Sequence, residues 1–72
     1  MADEKSVCVF GLGYVGLPTA ALLASRGYDV VGVDIRAEVV DTINRGEIHI
    51  VEPDLDAHVR SAVASGNLQA SV

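Results

Sequence analysis

The feature that most constrains this chain is a glycine motif that directly follows a short apolar segment. Residues 7–16 read V-C-V-F-G-L-G-Y-V-G, so the apolar run leads straight into G-x-G-x-x-G. A second apolar run ends at Asp34, 18 residues beyond Gly16. Strand, glycine turn, helix, strand and acid in this order are typical of a dinucleotide-binding βαβ unit. The sequence therefore predicts a Rossmann-type α/β fold and a dinucleotide cofactor.

Each glycine of the motif has its own physical reason. Gly11 is expected to end the first strand where the chain turns sharply, and Gly13 to let the backbone approach a diphosphate. Gly16 would let the next helix pack closely on the strand. The free N–H groups and positive dipole end of that helix would then face the phosphates.

Asp34 predicts which dinucleotide is bound. A carboxylate at the end of the second strand accepts hydrogen bonds from both ribose hydroxyls and repels a 2′-phosphate, so NAD is favoured over NADP. Arg36 has three open interpretations: it softens this preference, lies along the adenine face, or faces solvent. The alternative to cofactor binding is that the motif forms only a turn of an α/β fold and binds no nucleotide.

Composition excludes several classes of partner. Asp and Glu number 10 against 5 Lys and Arg, and this net charge of −5 disfavours nucleic acid and anionic membranes. Half of the residues are hydrophobic, which indicates a buried core, but no apolar stretch approaches the ~20 residues of a membrane span. Residues 1–5 show no signal-peptide character. The single cysteine, Cys8, excludes an internal disulfide and fits a cytoplasmic location.

Apolar periodicity and turn residues predict the order β-α-β-α-α-β. Strands are predicted at residues 7–10, 29–34 and 68–72, helices at 14–26, 37–44 and 53–65, and an ordered loop at 47–52. Right-handed crossovers would give a parallel sheet of order 3-2-1. The continuous apolar run of the first strand predicts that it is buried on both faces, like a central strand of a parallel sheet. Residues 1–72 are thus expected to be the N-terminal half of a Rossmann domain, without catalytic or substrate domains.

The predicted ends of the helices are based on glycine and proline residues. Gly27, Gly46 and Gly66 are predicted to stop the three helices, and Pro53 suits the first position of the third helix. Pro18 is tolerable if the first helix begins near Val15, because first-turn N–H groups lack helical partners.

Three segments resemble one family: G-L-G-Y-V-G-L-P at residues 11–18, G-V-D-I at 32–35, and V-D-T-I-N-R-G-E-I-H-I-V-E-P-D-L at 40–55. Together they resemble the amino terminus of the nucleotide-sugar 6-dehydrogenases, the UDP-glucose and UDP-N-acetylmannosamine dehydrogenase family. The third segment is the most specific, because no general phosphate-binding argument demands it. It is most similar to the UDP-N-acetyl-D-mannosamine dehydrogenase branch.

The resemblance implies NAD-dependent, two-step oxidation of a UDP-sugar C6 alcohol to a carboxylate. By matching positions, it implies a cofactor site made of Gly11, Gly13, Tyr14, Val15, Gly16, Asp34 and Arg36. The family's catalytic cysteine and lysine have no counterpart here, so no catalytic residue is assigned and no turnover by these 72 residues is expected. Two alternatives stay open: a fragment of another Rossmann dehydrogenase, and a stand-alone nucleotide-binding module, including a homo-oligomer that covers its open sheet edge.

Several other residues invite a chemical role. Cys8 lies in an apolar strand and is interpreted as structural, since burial disfavours its thiolate. His49 is expected to pack or hydrogen-bond within its loop rather than contact a ligand, and His58 to be solvated. Glu52 is either a helix-start acid or a cofactor-side contact, and Tyr14 either core or diphosphate-binding. The histidines and cysteine lack metal-ligand spacing, so no metal is predicted.

Overall fold

The structure, a computed structural model, describes residues 6–72, so the prediction for residues 1–5 lies outside the described residues. The element order β-α-β-α-α-β is confirmed. The strands are β1 (Ser6–Phe10), β2 (Asp29–Val33) and β3 (Leu68–Ser71), and the helices are α1 (Gly16–Ser25), α2 (Ala37–Asn44) and α3 (Leu55–Ser65).

The three strands form one parallel sheet with β2 in the middle. Cys8 pairs with Val31 across β1 and β2, and Gly32 pairs with Ala70 across β2 and β3. The order β1-β2-β3 is the predicted order 3-2-1 counted from the opposite edge. Residues 47–52 form neither helix nor strand, as predicted.

The core lies between one face of the sheet and the three helices. Alternate residues of a strand share a face, and Val30, Leu68 and Ala70 are buried on the face toward the helices. The helices bury apolar side chains against them. Those side chains are Leu17, Ala20, Ala21 and Ala24 of α1, Val39, Val40 and Ile43 of α2, and Leu55, Val59 and Ala62 of α3.

The opposite face of the sheet is open, and this corrects the prediction for the first strand. Cys8 and Phe10 of β1 are exposed, Phe10 by 79%, and Val31 of β2 lies on the same face. Successive right-handed crossovers that run in one direction across a sheet place all their helices on one side. The apolar run of β1 is therefore covered on one face only, and it is wrong to describe β1 here as buried on both.

Two helices begin later than predicted. The helix α1 begins at Gly16, two residues after the predicted start, although its end differs by only one residue. The helix α3 begins at Leu55 because Asp54 has a φ of 64°, a left-handed conformation that a right-handed helix cannot contain. Pro53 therefore lies in the turn before α3 and not at its first position.

The predicted helix stops are confirmed. The three stop glycines, Gly27, Gly46 and Gly66, have positive φ angles of 92°, 78° and 86°. The strands β2 and β3 each end one residue earlier than predicted, at Val33 and Ser71. Differences of one residue are ordinary at element ends, because these ends fray.

Candidate nucleotide-binding site

The glycine turn is held between β1 and α1 by backbone contacts that side chains would prevent. Gly11 has a φ of +88°, and its N–H donates to the carbonyl of Val33 at 2.7 Å, which ties the turn to β2. A Cβ on Gly16 would collide with the carbonyl oxygen of Gly11. Glycine is thus needed at Gly16 because α1 starts directly against the turn, as predicted.

The middle of the turn is open. A Cβ on Gly13 would meet no atom within 4 Å, so packing among residues 6–72 does not explain this glycine. Among residues 6–72, the backbone N–H groups of Gly13, Tyr14 and Val15 have no hydrogen-bond acceptor. Tyr14 and Val15 are 65% and 81% exposed, which excludes Tyr14 from the core. An open surface with unpaired N–H donors at a helix start suits a diphosphate.

Asp34 joins this turn to the start of α2. It follows β2 directly and is only 5% exposed. Its Oδ2 accepts the N–H of Leu12 at 2.9 Å, and its Oδ1 accepts the N–H of Arg36 at 2.9 Å. The carboxylate is therefore fixed at the carboxyl end of β2, beside the glycine turn.

Arg36 forms a two-pronged ion pair with the same carboxylate. Its Nε donates to Oδ1 at 2.9 Å and its Nη2 to Oδ2 at 3.0 Å, while the arginine side chain stays about half exposed. The guanidinium, followed by the N–H of Leu12, holds the pKa of Asp34 well below the usual range, and Asp34 in turn raises the pKa of Arg36. An ion pair with Asp34 was not among the three interpretations of Arg36.

A cavity of about 330 Å³ opens at the carboxyl ends of β1 and β2. In open α/β sheets ligands bind beyond this end of the strands. The cavity brings together Gly11, Asp34 and Arg36 of the predicted site, and its other lining residues are Phe10, Val33 and Ile35. Gly13, Tyr14, Val15 and Gly16 are not among its lining residues.

A second cavity of about 190 Å³ lies between α1 and α3, away from this edge. His58 borders it and is exposed, as predicted, and Glu52 borders it without capping α3. Both ring nitrogens of His49 are shielded from solvent without a hydrogen-bond partner among the described residues, so of its two expected loop roles the hydrogen bond is not formed. Cys8 is exposed on the open sheet face, so its predicted burial is wrong.

Two features of the described chain bear on other classes of function. No helix within residues 6–72 combines the length and apolar character required to cross a bilayer. The same residues contain no cluster of three or more histidine, cysteine, aspartate or glutamate side chains suited to a metal ion.

Sequence reasoning missed Leu12, the variable residue between the first two glycines. Besides its bond to Asp34, its buried side chain covers Gly32, where a Cβ would lie 2.6 Å from Leu12 Cδ2. A glycine inside an otherwise apolar strand is a signal for such a close approach. This contact fixes the turn over β2 and so helps place the carboxylate of Asp34.

Comparison with known proteins gives the family. Residues 5–72 match the profile of the UDP-glucose/GDP-mannose dehydrogenase family, NAD binding domain. The chain is 64% identical over 66 residues to the UDP-N-acetyl-D-mannosamine dehydrogenase of Escherichia coli (strain K12), covering 92% of this chain and 16% of that protein. It is 61% identical over 69 residues to the NDP-N-acetyl-D-galactosaminuronic acid dehydrogenase of Ralstonia nicotianae, covering 96% and 16%.

Solved structures agree with these sequence matches. The UDP-D-ManNAc dehydrogenase of Pyrococcus horikoshii superposes with a TM-score of 0.88 at 50% identity, covering 92% of this chain and 16% of that one. A UDP-glucose dehydrogenase of Pyrobaculum islandicum gives a TM-score of 0.90 at 38% identity, covering 96% and 16%. The chain thus spans about a sixth of the length of the relatives that it matches. It belongs to the UDP-glucose/GDP-mannose dehydrogenase family, in the part that forms the NAD binding domain, and its cofactor is NAD.

Proposed function

We propose that this chain supplies the adenosine and diphosphate part of the NAD site in a nucleotide-sugar 6-dehydrogenase. The proposed reaction oxidises the C6 alcohol of UDP-N-acetyl-D-mannosamine to a carboxylate. The observation that carries the cofactor part is the carboxylate of Asp34, which the N–H of Leu12 holds beside the glycine turn. The sugar is proposed from the segment at residues 40–55 and from the names of the relatives.

The proposed role of these residues is to bind the cofactor and to orient it. The N–H groups of Gly13, Tyr14 and Val15 would donate to the diphosphate, and Asp34 would accept from the ribose hydroxyls. When bound, NAD accepts hydride from the sugar carbon that is oxidised. Residues 1–72 would thus form the N-terminal half of the dinucleotide domain, and the reacting groups would come from outside it.

A cytoplasmic location is also proposed, since Cys8 is an exposed thiol without a disulfide, as is usual in a reducing compartment. A homo-oligomer is proposed because the outer edge of β1 has no partner strand in the part of the chain that the structure describes, and the face beside it is open.

Nucleotide binding tests the assignment of Asp34. NAD and NADP are titrated against the full-length gene product and against its Asp34→Asn variant, with Asp41→Asn as a control that removes the same charge from the exposed surface of α2. Asp34→Asn should weaken NAD binding by about tenfold or more and narrow its advantage over NADP, since bonds to a charged group are involved. Unchanged affinities for both cofactors would remove Asp34 from the site.

Turnover tests the assigned reaction. The 72-residue chain mixed with NAD⁺ and UDP-N-acetyl-D-mannosamine should form no NADH, because it contains no assigned catalytic residue. The full-length gene product should form two NADH per sugar and react more slowly with UDP-glucose. A full-length product that is inactive on every UDP-sugar would refute the proposed reaction but not the NAD site.

A further inference from the structure

The hydrogen-bonding capacity of Asp34 is full in this structure. An ionised carboxylate offers about four lone-pair sites. Oδ1 accepts the N–H and the Nε of Arg36, and Oδ2 accepts the N–H of Leu12 and the Nη2 of Arg36. Two of the four donors are backbone groups and two belong to one guanidinium. Ribose hydroxyls can reach this carboxylate only if some of these donors leave.

The two kinds of donor differ in how easily they leave. The N–H of Leu12 is fixed by the glycine turn, and the N–H of Arg36 by the residue's position as N-cap of α2. The guanidinium is at the end of a flexible side chain that is 49% exposed and borders the cavity. An ion pair with this exposure contributes little net stability, because water solvates the separated arginine well.

We propose that the Arg36 guanidinium is a displaceable substitute for the two ribose hydroxyls. Without nucleotide it fills their two hydrogen-bonding positions on Asp34 and helps to orient the carboxylate. When adenosine binds, the side chain rotates away while both backbone donors remain. This inference rests on the proposed ribose site at Asp34 and names the group that competes with the cofactor there.

The direct test follows the Arg36 Nε–H signal by NMR during titration of the full-length gene product, labelled with ¹⁵N at arginine and leucine, with adenosine. Adenosine carries no phosphate, so changes at Arg36 do not come from attraction to a diphosphate. The signal should shift and its proton exchange should accelerate as adenosine saturates the site, while the Leu12 and Arg36 backbone amide protons stay protected. An Arg36 Nε–H that keeps its shift and slow exchange at saturation would overturn the inference.

A second test removes the Arg36 guanidinium, which is proposed to compete with the ribose for Asp34. Arg36→Met keeps side-chain length without donors, and Arg45→Met is the matched control, since Arg45 pairs with Glu47 on the surface. Arg36→Met should bind adenosine at least as tightly as the unsubstituted protein does. Its affinity should rise by up to about fivefold, which is the range for losing one partly exposed ion pair. The control should match the unsubstituted chain. Weaker binding by Arg36→Met alone would show that the guanidinium contacts the nucleotide, and would overturn the inference.

Comparison with 2′-deoxyadenosine separates this inference from the function on which it rests. If adenosine has no advantage over 2′-deoxyadenosine, the ribose is not held at Asp34 and the proposed site itself fails. If adenosine binds more tightly than 2′-deoxyadenosine but Arg36 stays paired with Asp34, the ribose site is supported and only the proposed displacement of Arg36 is refuted. A clear advantage with released Arg36 supports both.

Discussion

At the scale of single residues, Asp34 is both a fold contact and the proposed ligand contact. Its oxygens connect the glycine turn, the end of β2 and the start of α2 through Leu12 and Arg36. A buried carboxylate is tolerated only when such donors satisfy it. The residue proposed to recognise the cofactor is therefore also one that the unliganded fold needs.

The lowered pKa of Asp34 predicts acid sensitivity. Because its folded-state pKa is below the unfolded value of about 3.8, its stabilising contribution is complete above that value and is lost as pH falls through the folded-state pKa. In urea unfolding between neutral and acidic pH, the free energy of unfolding should fall below about pH 4. Asp34→Asn should flatten this fall and Asp41→Asn should not. An equally steep fall in Asp34→Asn would assign acid sensitivity to other groups.

Substitutions at two glycines of the motif should distinguish a residue needed for folding from one needed for NAD binding. An alanine at Gly16 would strike the backbone of Gly11, so Gly16→Ala should lower the free energy of unfolding by about 1–3 kcal/mol or more. Gly13 has open space and a φ outside the left-handed region, so Gly13→Ala should leave stability within about 1 kcal/mol. Gly13→Ala should instead weaken NAD binding. Thermal melts and NAD titrations measure both, and equal destabilisation by the two substitutions would contradict this division.

At the scale of elements, α2 covers the outer edge of β3 with one side chain. The Nδ2 of Asn44 donates to the carbonyl of Ala70 at 3.0 Å, and its Oδ1 accepts the N–H of Ala70 at 2.9 Å. The neighbouring carbonyl of Ser71 accepts the N–H of Asp34, directly after β2, so the backbone groups of Ala70, one residue before, face away from β2. The amide thus occupies the place of a further strand.

This contact predicts the effect of replacing Asn44. Asn44→Ala leaves both backbone groups of the buried Ala70 unpaired and should cost about 1–3 kcal/mol of unfolding free energy. Asn44→Asp still accepts the Ala70 N–H but no longer donates, so it should be intermediate. Hydrogen exchange of the Ala70 amide should accelerate in Asn44→Ala and stay slow in Asn44→Asp. Slow exchange in Asn44→Ala would mean that another group covers this edge.

At the scale of the whole molecule, the two edges of the sheet differ. Asn44 covers the edge at β3, while β1 has no partner on its outer side within residues 6–72. The open face beside β1 carries Phe10 and Val31, which are 79% and 39% exposed. Unpaired edges and apolar surfaces of this kind favour association.

We therefore expect the isolated chain to be either a loosely folded monomer or folded only through self-association at β1. Apolar burial stabilises by roughly 25 cal/mol per Å², so an open face removes much of what holds a small domain folded. Sedimentation and hydrogen exchange measure this. Cys8→Lys, on the open face, should reduce association, and Val51→Lys, in the exposed loop, should not. A monomer with protected amides across β1 and a sharp thermal transition would contradict the expectation.

The sequence alone determined the βαβ order, the limits of α2 and the place of Asp34. These follow from local rules, namely apolar periodicity, backbone freedom at glycine and the spacing of an acid after a strand. The start of α3 escaped the same rules, because Pro53 is acceptable at a helix start and nothing in its identity indicates the left-handed turn at Asp54.

Only the tertiary structure decided the contacts that complete the site. The bond from Leu12 to Asp34 spans 22 residues and that from Asn44 to Ala70 spans 26, so both depend on how the elements pack. Arg36 is two residues from Asp34, and its guanidinium pairs with a carboxylate that the distant Leu12 also holds. The exposure of β1 depends on the side of the sheet on which the connections between the strands place their helices, because the other face stays uncovered. Local pattern specifies the elements, whereas side-chain rotamers and burial are chosen by neighbours that are distant in the chain.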